Sequence, residues 1–327
     1  MIGTSSKPDS VSVIVPTIGR PESLISLLCS LAVQTIRVLE TVVADGSGSE
    51  AVKSACDDPR WLQSGLFVNW ISVRPPNAVR QREAAIRASQ GEFLLLLDDD
   101  VVLEPHCLQH MLDLMKANLD VVGVTADFNN QSWSQPTRFW TLYLRYVLGF
   151  APGAWQGRVV GPLLRFGYNP VPEGPQPMEW LGSGNSLVRR SAYIQAGGFS
   201  DFFLHRCTIN EDVDFGLKLS RVGRILFCPA ARMSHHHAPG GRVSVAEAAE
   251  DDLFNRFMVL HKTLSYSKRK AFLLIASYFV IESLSNTLGA IKRVKAKTTL
   301  NLLEGRLRGL IQIGRICFGS PIRNAGN

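Results

Sequence analysis

The chain has 327 residues, 46% of them hydrophobic and 19% charged, including 6 Trp and 16 Phe; this content excludes a mainly disordered chain and allows a sizeable core. Cysteines 29, 56, 107, 207, 228 and 317 lie far apart without a CxxC pair, which argues against zinc ribbons and disulfide scaffolds and suggests a reducing compartment. The net charge of +7 is uneven: residues 262–327 hold 12 Lys/Arg against Glu282 and Glu304, a net of +10, leaving 23 basic and 26 acidic residues, a net of −3, in the first 261.

The N-terminus, MIGTSSKPDS, has no apolar signal region, which argues against secretion. Val11–Val15 reads as a buried strand stopped by Pro16. Pro21 suits the first turn of a helix whose Leu24, Leu27, Leu28 and Leu31 follow i, i+3, i+4, i+7. A strand over Leu39–Ala44 runs into the turn Asp45-Gly-Ser-Gly, and another over Leu66–Val73 precedes Arg74-Pro-Pro-Asn77. The next helix, 78–89, ends near Gly91, read as its C-terminal cap. Phe93–Leu97 is a continuous apolar run of the kind found in central parallel strands, and it abuts Asp98-Asp99-Asp100. A helix over 105–117 and a strand over Asp120–Thr125 follow.

Strands alternating with helices predict an α/β fold with a mainly parallel, Rossmann-like sheet covered by helices on both faces. Such sheets bind ligands beyond the carboxyl ends of their strands, so Asp45 and the Asp98–Asp100 run are expected to share one rim. Residues 127–178, rich in Trp, Tyr and Pro, read as an irregular insertion over that rim. Regular structure is expected to resume near Trp180. A helix over Asp212–Val222 closes at Gly223, a short strand spans Arg224–Cys228, and His235-His-His-Ala-Pro-Gly-Gly reads as a loop.

Three adjacent carboxylates raise one another's pKa and destabilise a fold unless compensated. A hard divalent cation, Mg²⁺ or Mn²⁺, removes the conflict and is commonly shared between carboxylates and substrate phosphates. A solvated acidic turn is the alternative.

The segments VSVIVPTIGRP, VVADGSGS, GEFLLLLDDDVVLEP, GSGNSLVRRSAYIQAGGF and NEDVDFGLKLSRVGRILFCP together resemble the family 2 glycosyltransferases of the GT-A fold, in order over about residues 10–240. The resemblance implies transfer of a sugar from a nucleotide-diphosphate-sugar donor to a glycan or lipid-linked acceptor, with inversion at the anomeric carbon. It implies that Pro16, Thr17, Arg20 and Asp45 meet the nucleotide, with Ala44 in place of the family's second acid. Arg80 or Arg82 joins them, and Asp98 or Asp99 lies near the ribose. Asp98 and Asp100 match the metal-binding DxD, and His235 matches a segment that often supplies a histidine ligand. Gly182, Ser183, Gly184 and Asn185 match a loop lining the donor-sugar pocket. Glu211 and Asp212 match the acidic pair, with Asp212 as the base that takes the acceptor proton. The expected organisation is a catalytic domain over 1–245 and a helical basic region over 246–327. Three other readings were weighed. A sugar-phosphate nucleotidyltransferase would carry a Gly- and Lys-rich loop where Pro16–Arg20 stands, and a glycosidase would need no nucleotide pocket. A catalytically silent glycan- or membrane-binding scaffold would have no use for both acidic motifs.

In the C-terminal region, Ala271–Ile281 is apolar but shorter than the roughly 20 residues needed to span a bilayer. It is flanked by Lys268-Arg-Lys270 and by Lys292, Arg293, Lys295 and Lys297. Further on, Leu303, Leu307 and Leu310 share a helical face with Arg306 and Arg308 off it. These amphipathic helices suit an anionic membrane surface, which places the protein in the cytoplasm at the inner face of the membrane. Packing on protein is the alternative, and nucleic acid is disfavoured because no recognised binding motif is present.

Overall fold

A computed structural model describes residues 10–240, 243–293 and 296–318; described side chains stop at 287 within the penultimate helix and resume at 298. Lys292, Arg293, Lys295 and Lys297 of the expected basic flank therefore lie outside the described side chains. The chain forms two compact units. The first comprises Met1–Gln135, Gly153–Val159 and Arg165–Arg242, and the second Pro136–Pro152, Val160–Leu164 and Val243–Asn327. The aromatic stretch 127–178 is thus divided, with much of it grouping with the C-terminal helices rather than with the sheet.

In chain order the first unit begins β1 (Val11–Thr17), α1 (Pro21–Ala32), β2 (Glu40–Asp45), α2 (Glu50–Cys56), α3 (Pro59–Gln63) and β3 (Val68–Ser72). It continues with α4 (Ala78–Ala88), β4 (Phe93–Leu97), β5 (Val101–Leu103), α5 (Cys107–Ala117) and β6 (Val121–Phe128). After α6 (Arg138–Leu142) and the short pairs β7 (Val159–Val160) and β8 (Leu164–Arg165) come β9 (Gln176–Met178), β10 (Asn185–Arg189), α7 (Arg190–Gln195), α8 (Glu211–Leu219) and β11 (Arg224–His235). The second unit ends in α9 (Val245–Met258), α10 (Lys268–Arg293) and α11 (Ala296–Phe318). No described helix is long and apolar enough to cross a membrane.

The sheet runs β3-β2-β1-β4-β10-β6-β11-β5, with β9 also on β11. Strands β3, β2, β1 and β4 are mutually parallel, as are β6 and β11, while β10 is antiparallel to both β4 and β6. Side chains alternate between two apolar layers, which explains the unbroken run in β4. Phe93, Leu95 and Leu97 join the layer holding Leu24, Leu27, Leu28 and Met111 from α1 and α5. Leu94 and Leu96, equally buried, project to the opposite face, where α4 packs against β1 and β2. Burying each such leucine is worth about 1.5–3 kcal/mol.

Four expectations are corrected. Strand β1 continues through Pro16 to Thr17, because its pairing with β4 ends at Ile14 and the missing N–H of Pro16 costs no ladder bond there. Helix α4 is closed by Ser89, not by Gly91, which is instead needed for close approach: a Cβ there would lie 2.5 Å from the Ser12 nitrogen. Helix α8 starts at Glu211 after a left-handed Asn210 and ends at Leu219, three residues short of Val222. Gly182–Gly184 form the expected turn, and the antiparallel strand β10 begins at Asn185 directly after it. Strand β11 does not stop at Cys228; a register shift around Pro229 lets it run on to His235 and pair with β5. A bulge of this kind accommodates proline and re-aims the residues beyond it.

In the second unit, Ser244 and Glu247 form a reciprocal capping box that starts α9, typically worth about 1 kcal/mol. Helix α11 packs on α9 through Gly305 and Gly309, where a Cβ would collide with the Ala246 carbonyl or crowd that of Glu250. Arg306, expected off the apolar face, is instead buried at 6% exposed and faces Glu282 at 3.7 Å. Glu282 also accepts a 2.7 Å bond from the Trp140 indole. Part of the C-terminal positive charge is therefore neutralised inside the unit.

Gly216 holds α8 against the backbone of Trp180 and Leu181, where an added Cβ would lie 2.7–2.9 Å from main-chain atoms. Gly216→Ala is expected to destabilise the protein by about 1–3 kcal/mol, read as a lower midpoint in denaturant unfolding.

Candidate functional site

The first unit carries a cleft of about 550 Å³ beyond the carboxyl ends of β1, β4 and β6 and the start of α8. Its lining includes six carboxylates (Asp98, Asp99, Asp100, Asp127, Glu211 and Asp212) against the three guanidiniums of Arg20, Arg82 and Arg165. The acidic turn between β4 and β5 forms one wall. Pairing of β11 with β5 sets His235 opposite Val101, and the His235 amide donates to Asn130 Oδ1 at 3.0 Å. His235 Nε2 consequently lies 3.1 Å from Asp100 Oδ1.

The three aspartates are held differently. Asp98 is the open one, 35% exposed at its side chain, and Arg82 approaches its Oδ1 at 2.5 Å. Asp99 is buried; Thr17 Oγ1 donates 2.6 Å to it and Arg20 Nε lies 3.3 Å away. Burial dominates, raising the Asp99 pKa to about 6 despite Thr17 and Arg20. Asp100 is also buried, but His235, the Ala238 amide at 2.8 Å and Arg20 outweigh that cost and bring it down to about 2. One oxygen or nitrogen each from Asp98, Asp100 and His235 lie within 4.8 Å of one another. Two carboxylates and an imidazole form a donor set that suits Mn²⁺ or Mg²⁺, and a surplus of cleft carboxylates favours a cation, so the residues fit a metal.

The facing wall is the start of α8. Glu211 Oε1 accepts from Ser183 Oγ at 2.8 Å and from Arg82 at 3.3 Å. Burial first, then the neighbouring Asp212, push Glu211 up to about 7 against Arg82 and Ser183. Asp212 is paired instead with Arg165 at 3.1 Å, and Arg165 lies over the Trp180 ring at 5.5 Å. Arg82 therefore bridges the two walls, reaching Asp98 and Glu211 at once.

Pro16, Thr17, Arg20, Arg82, Asp98, Asp99, Asp100, Gly184, Asn185, Glu211, Asp212 and His235 all line this cleft. Asn185 fixes its strand end by donating 2.7 Å to the Ala126 carbonyl, and a Cβ on Gly184 would run into the Asp98 carboxylate. Two expected residues lie elsewhere. Asp45 stands at the same rim, but its carboxylate is buried and accepts from the Ser47 amide and hydroxyl and the Ser49 amide, shaping the turn after β2. Arg80 points to the Leu204 carbonyl and lines a separate groove with Glu83 and Tyr193, so of the two arginines only Arg82 faces the cleft.

Several lining residues were not expected at the site, among them Asp127, Gln81, Arg165 and Trp133. Asp127 is the penultimate residue of β6, and the strand-end rule that selected Asp98 points to it as well; burial raises its pKa. Gln81 ties β1 to β2 by donating 2.7 Å to both the Thr17 and Ala44 carbonyls. Arg165 and Trp133 sit in irregular sequence with no periodic signal, and only the folded chain brings them to the cleft.

Residues 12–161 match the family model for Glycosyl transferase family 2. The chain is 27% identical over 259 residues to the O-antigen biosynthesis protein RfbC of Myxococcus xanthus, covering 73% of this chain and 18% of that protein. It is 40% identical over 65 residues to the N-acetylglucosaminyl-diphospho-decaprenol L-rhamnosyltransferase of Mycobacterium tuberculosis (strain CDC 1551 / Oshkosh), 19% of this chain and 20% of that one. The chain thus spans about a fifth of the length of these curated relatives in the matched regions. In fold it is similar to the mannosyltransferase PcManGT of Pyrobaculum calidifontis in complex with GDP-Man and Mn²⁺, with a TM-score of 0.56 at 16% identity, covering 94% and 90% of the two chains. Over residues 12–161, just under half of its length, the chain is thus similar to glycosyltransferase family 2, and it has the GT-A fold.

The raised Glu211 pKa has a consequence for stability. An acid whose pKa is higher folded than unfolded stabilises the fold fully below its unfolded pKa of 4.5, and that contribution is lost as pH rises through about 7. Between pH 5 and 8, the metal-free wild type is expected to lose on the order of 1–3 kcal/mol more than Glu211→Gln, measured by urea unfolding across that range.

Proposed function

We propose that this chain is a family 2 glycosyltransferase, which moves a sugar from a nucleotide-diphosphate-sugar to a hydroxyl of a glycan or lipid-linked acceptor, with inversion at the anomeric carbon. The observation that carries the reading is the meeting, across one cleft, of the Asp98–Asp100–His235 group and the Glu211–Asp212 pair. The activities of similar proteins support it: one is a rhamnosyltransferase, and one structural neighbour is a mannosyltransferase holding GDP-Man and Mn²⁺.

Asp98, Asp100 and His235 would hold Mn²⁺ or Mg²⁺, which when bound supplies Lewis-acid stabilisation of the departing diphosphate. The chain's own residues then divide the remaining work. Pro16, Thr17 and the buried Asp99 frame the nucleotide side, with Asp45 shaping the turn at the end of β2. Arg20 and Arg82 are the cleft guanidiniums on the acidic-turn side, placed to meet phosphate oxygens as their carboxylate partners turn to the cation. Gly184 and Asn185 line the sugar side, where the lack of a side chain at Gly184 leaves room beside Asp98.

Asp212 is the base. Its ion pair with Arg165 at 3.1 Å fixes its direction toward the cleft, where it can accept the acceptor proton as the hydroxyl attacks. Glu211 is less suited, because burial holds its proton near neutral pH and its oxygen already serves Ser183 and Arg82. Its part is to hold Arg82. Attack by the hydroxyl on the face opposite the leaving diphosphate forms the new glycosidic bond as the old one breaks, which inverts the anomeric carbon.

The test is nucleoside-diphosphate release from a panel of UDP-, GDP- and dTDP-sugars with Mn²⁺ or Mg²⁺. Release is expected from at least one donor, falling by about 10²–10⁴ in Asp212→Asn and to background in Asp100→Ala. A folded protein that neither turns over nor binds any nucleoside diphosphate in this panel would sink the reading.

A further inference from the structure

The second unit exposes apolar side chains in a pattern that its own packing does not use. On α10, Leu273, Val280 and Leu284 are each half or more exposed, and their spacing sets them within about 40° of one another around the helix. On α11, Leu307, Ile311 and Phe318 repeat the same spacing and are likewise about half exposed or more. These are not the faces that hold the bundle together, since α11 meets α9 through Gly305 and Gly309.

The two stripes converge where α10 begins and α11 ends. Lys268 Nζ donates to the Ile316 carbonyl at 3.4 Å, Cys317 Sγ to the Lys268 carbonyl at 3.6 Å, and the Phe272 and Phe318 rings lie 5.1 Å apart. Leu273 is 67% and Phe318 61% exposed at this end. Around them stand the exposed Lys268, Arg269, Lys270 and Arg315. Helical geometry places Arg269, Lys270 and Arg315 within about 60° of their stripes, so cations border the apolar residues directly. No Asp or Glu occurs in residues 264–281 or 305–318 to neutralise them.

We propose that this end of the second unit docks on the interface of an anionic lipid bilayer. Leu273 and Phe318 enter the boundary between headgroups and acyl chains, while Lys268, Arg269, Lys270 and Arg315 meet lipid phosphates. Apolar side chains rimmed by clustered cations match that interface, which is apolar in depth and negative at its surface. A nucleic acid would satisfy the cations and leave Leu273 and Phe318 in water. The proposal concerns adhesion alone and is independent of the transfer reaction, so each can fail without the other.

The experiment is co-sedimentation of the full chain with vesicles of phosphatidylcholine, with and without about 30% phosphatidylglycerol, in about 0.1 M salt. Binding is expected only with phosphatidylglycerol, and it weakens as salt is raised. The triple variant Lys268→Gln, Arg269→Gln, Lys270→Gln is expected to bind more than tenfold less, at roughly fivefold per charge. Leu273→Ser with Phe318→Ser is expected to bind at least tenfold less even at low salt. All five substituted positions are exposed, and an unchanged melting temperature shows that the variants remain folded. Equal binding to neutral vesicles, no binding, or binding indifferent to both variants overturns the proposal. So does a dimer in light scattering that is lost in the Leu273/Phe318 variant without any vesicle binding, which would assign this face to a second copy of the chain.

Discussion

The arrangement of the first unit depends on how three consecutive carboxylates are kept at the end of a fully buried strand. Strand β4 has no exposed face, so Asp98, Asp99 and Asp100 emerge from an apolar layer with no solvent on the strand side to relieve them. Each is given a different partner: Arg82 for Asp98, Thr17 with Arg20 for Asp99, and His235 with the Ala238 amide for Asp100. The divergence of Asp99, pushed up to about 6, from Asp100, brought down to about 2, follows from these partners rather than from residue type. Arg82 then carries the compensation across to Glu211. The walls of the cleft are thus one electrostatic system, and a change on either side is felt by the other.

The rest of the unit serves that turn. Strand β11 must pass Pro229 and keep going for His235 to reach Asp100, and the register shift before Arg232 makes this possible. The turn before β10, which is antiparallel between β4 and β6, brings Gly184 against Asp98, where an added Cβ would run into the carboxylate. Gly216 lets α8 approach the Trp180–Leu181 backbone closely enough to set Glu211 and Asp212 at the cleft. Within the second unit a comparable economy operates, since Gly305 and Gly309 seat α11 and the buried Arg306 is matched by Glu282.

Much of this was legible from the residue order, and the reasons differ by element. The continuous apolar run in β4 and the i, i+3, i+4, i+7 leucines of α1 are local signals, so those elements and the acidic rim could be read directly. Family resemblance, not periodicity, supplied the donor-side residues and the acidic pair. What could not be read depended on partners distant in sequence. Pro16 and Pro229 look like strand stops because proline removes an N–H, yet neither ends its strand where pairing on that side is already absent or shifted. Gly91 looks like a helix cap, but its role is steric and is set by Ser12, 79 residues away in the chain. Asp45 looks like a ligand contact, and its carboxylate in fact turns inward to its own loop. Arg165 had no local signal at all, because its pairing with Asp212 links irregular sequence to a helix start.

The central claim is that the excess of carboxylates in the cleft is resolved by one divalent cation held by Asp98, Asp100 and His235. Mn²⁺ binding followed by electron paramagnetic resonance addresses this without requiring knowledge of donor or acceptor. The account predicts one bound Mn²⁺ per chain, tightened by UDP or GDP, weakened in His235→Ala and lost in Asp100→Ala. Unchanged Mn²⁺ binding in the Asp100 variant, or no binding to the folded wild type with either nucleotide present, would contradict it.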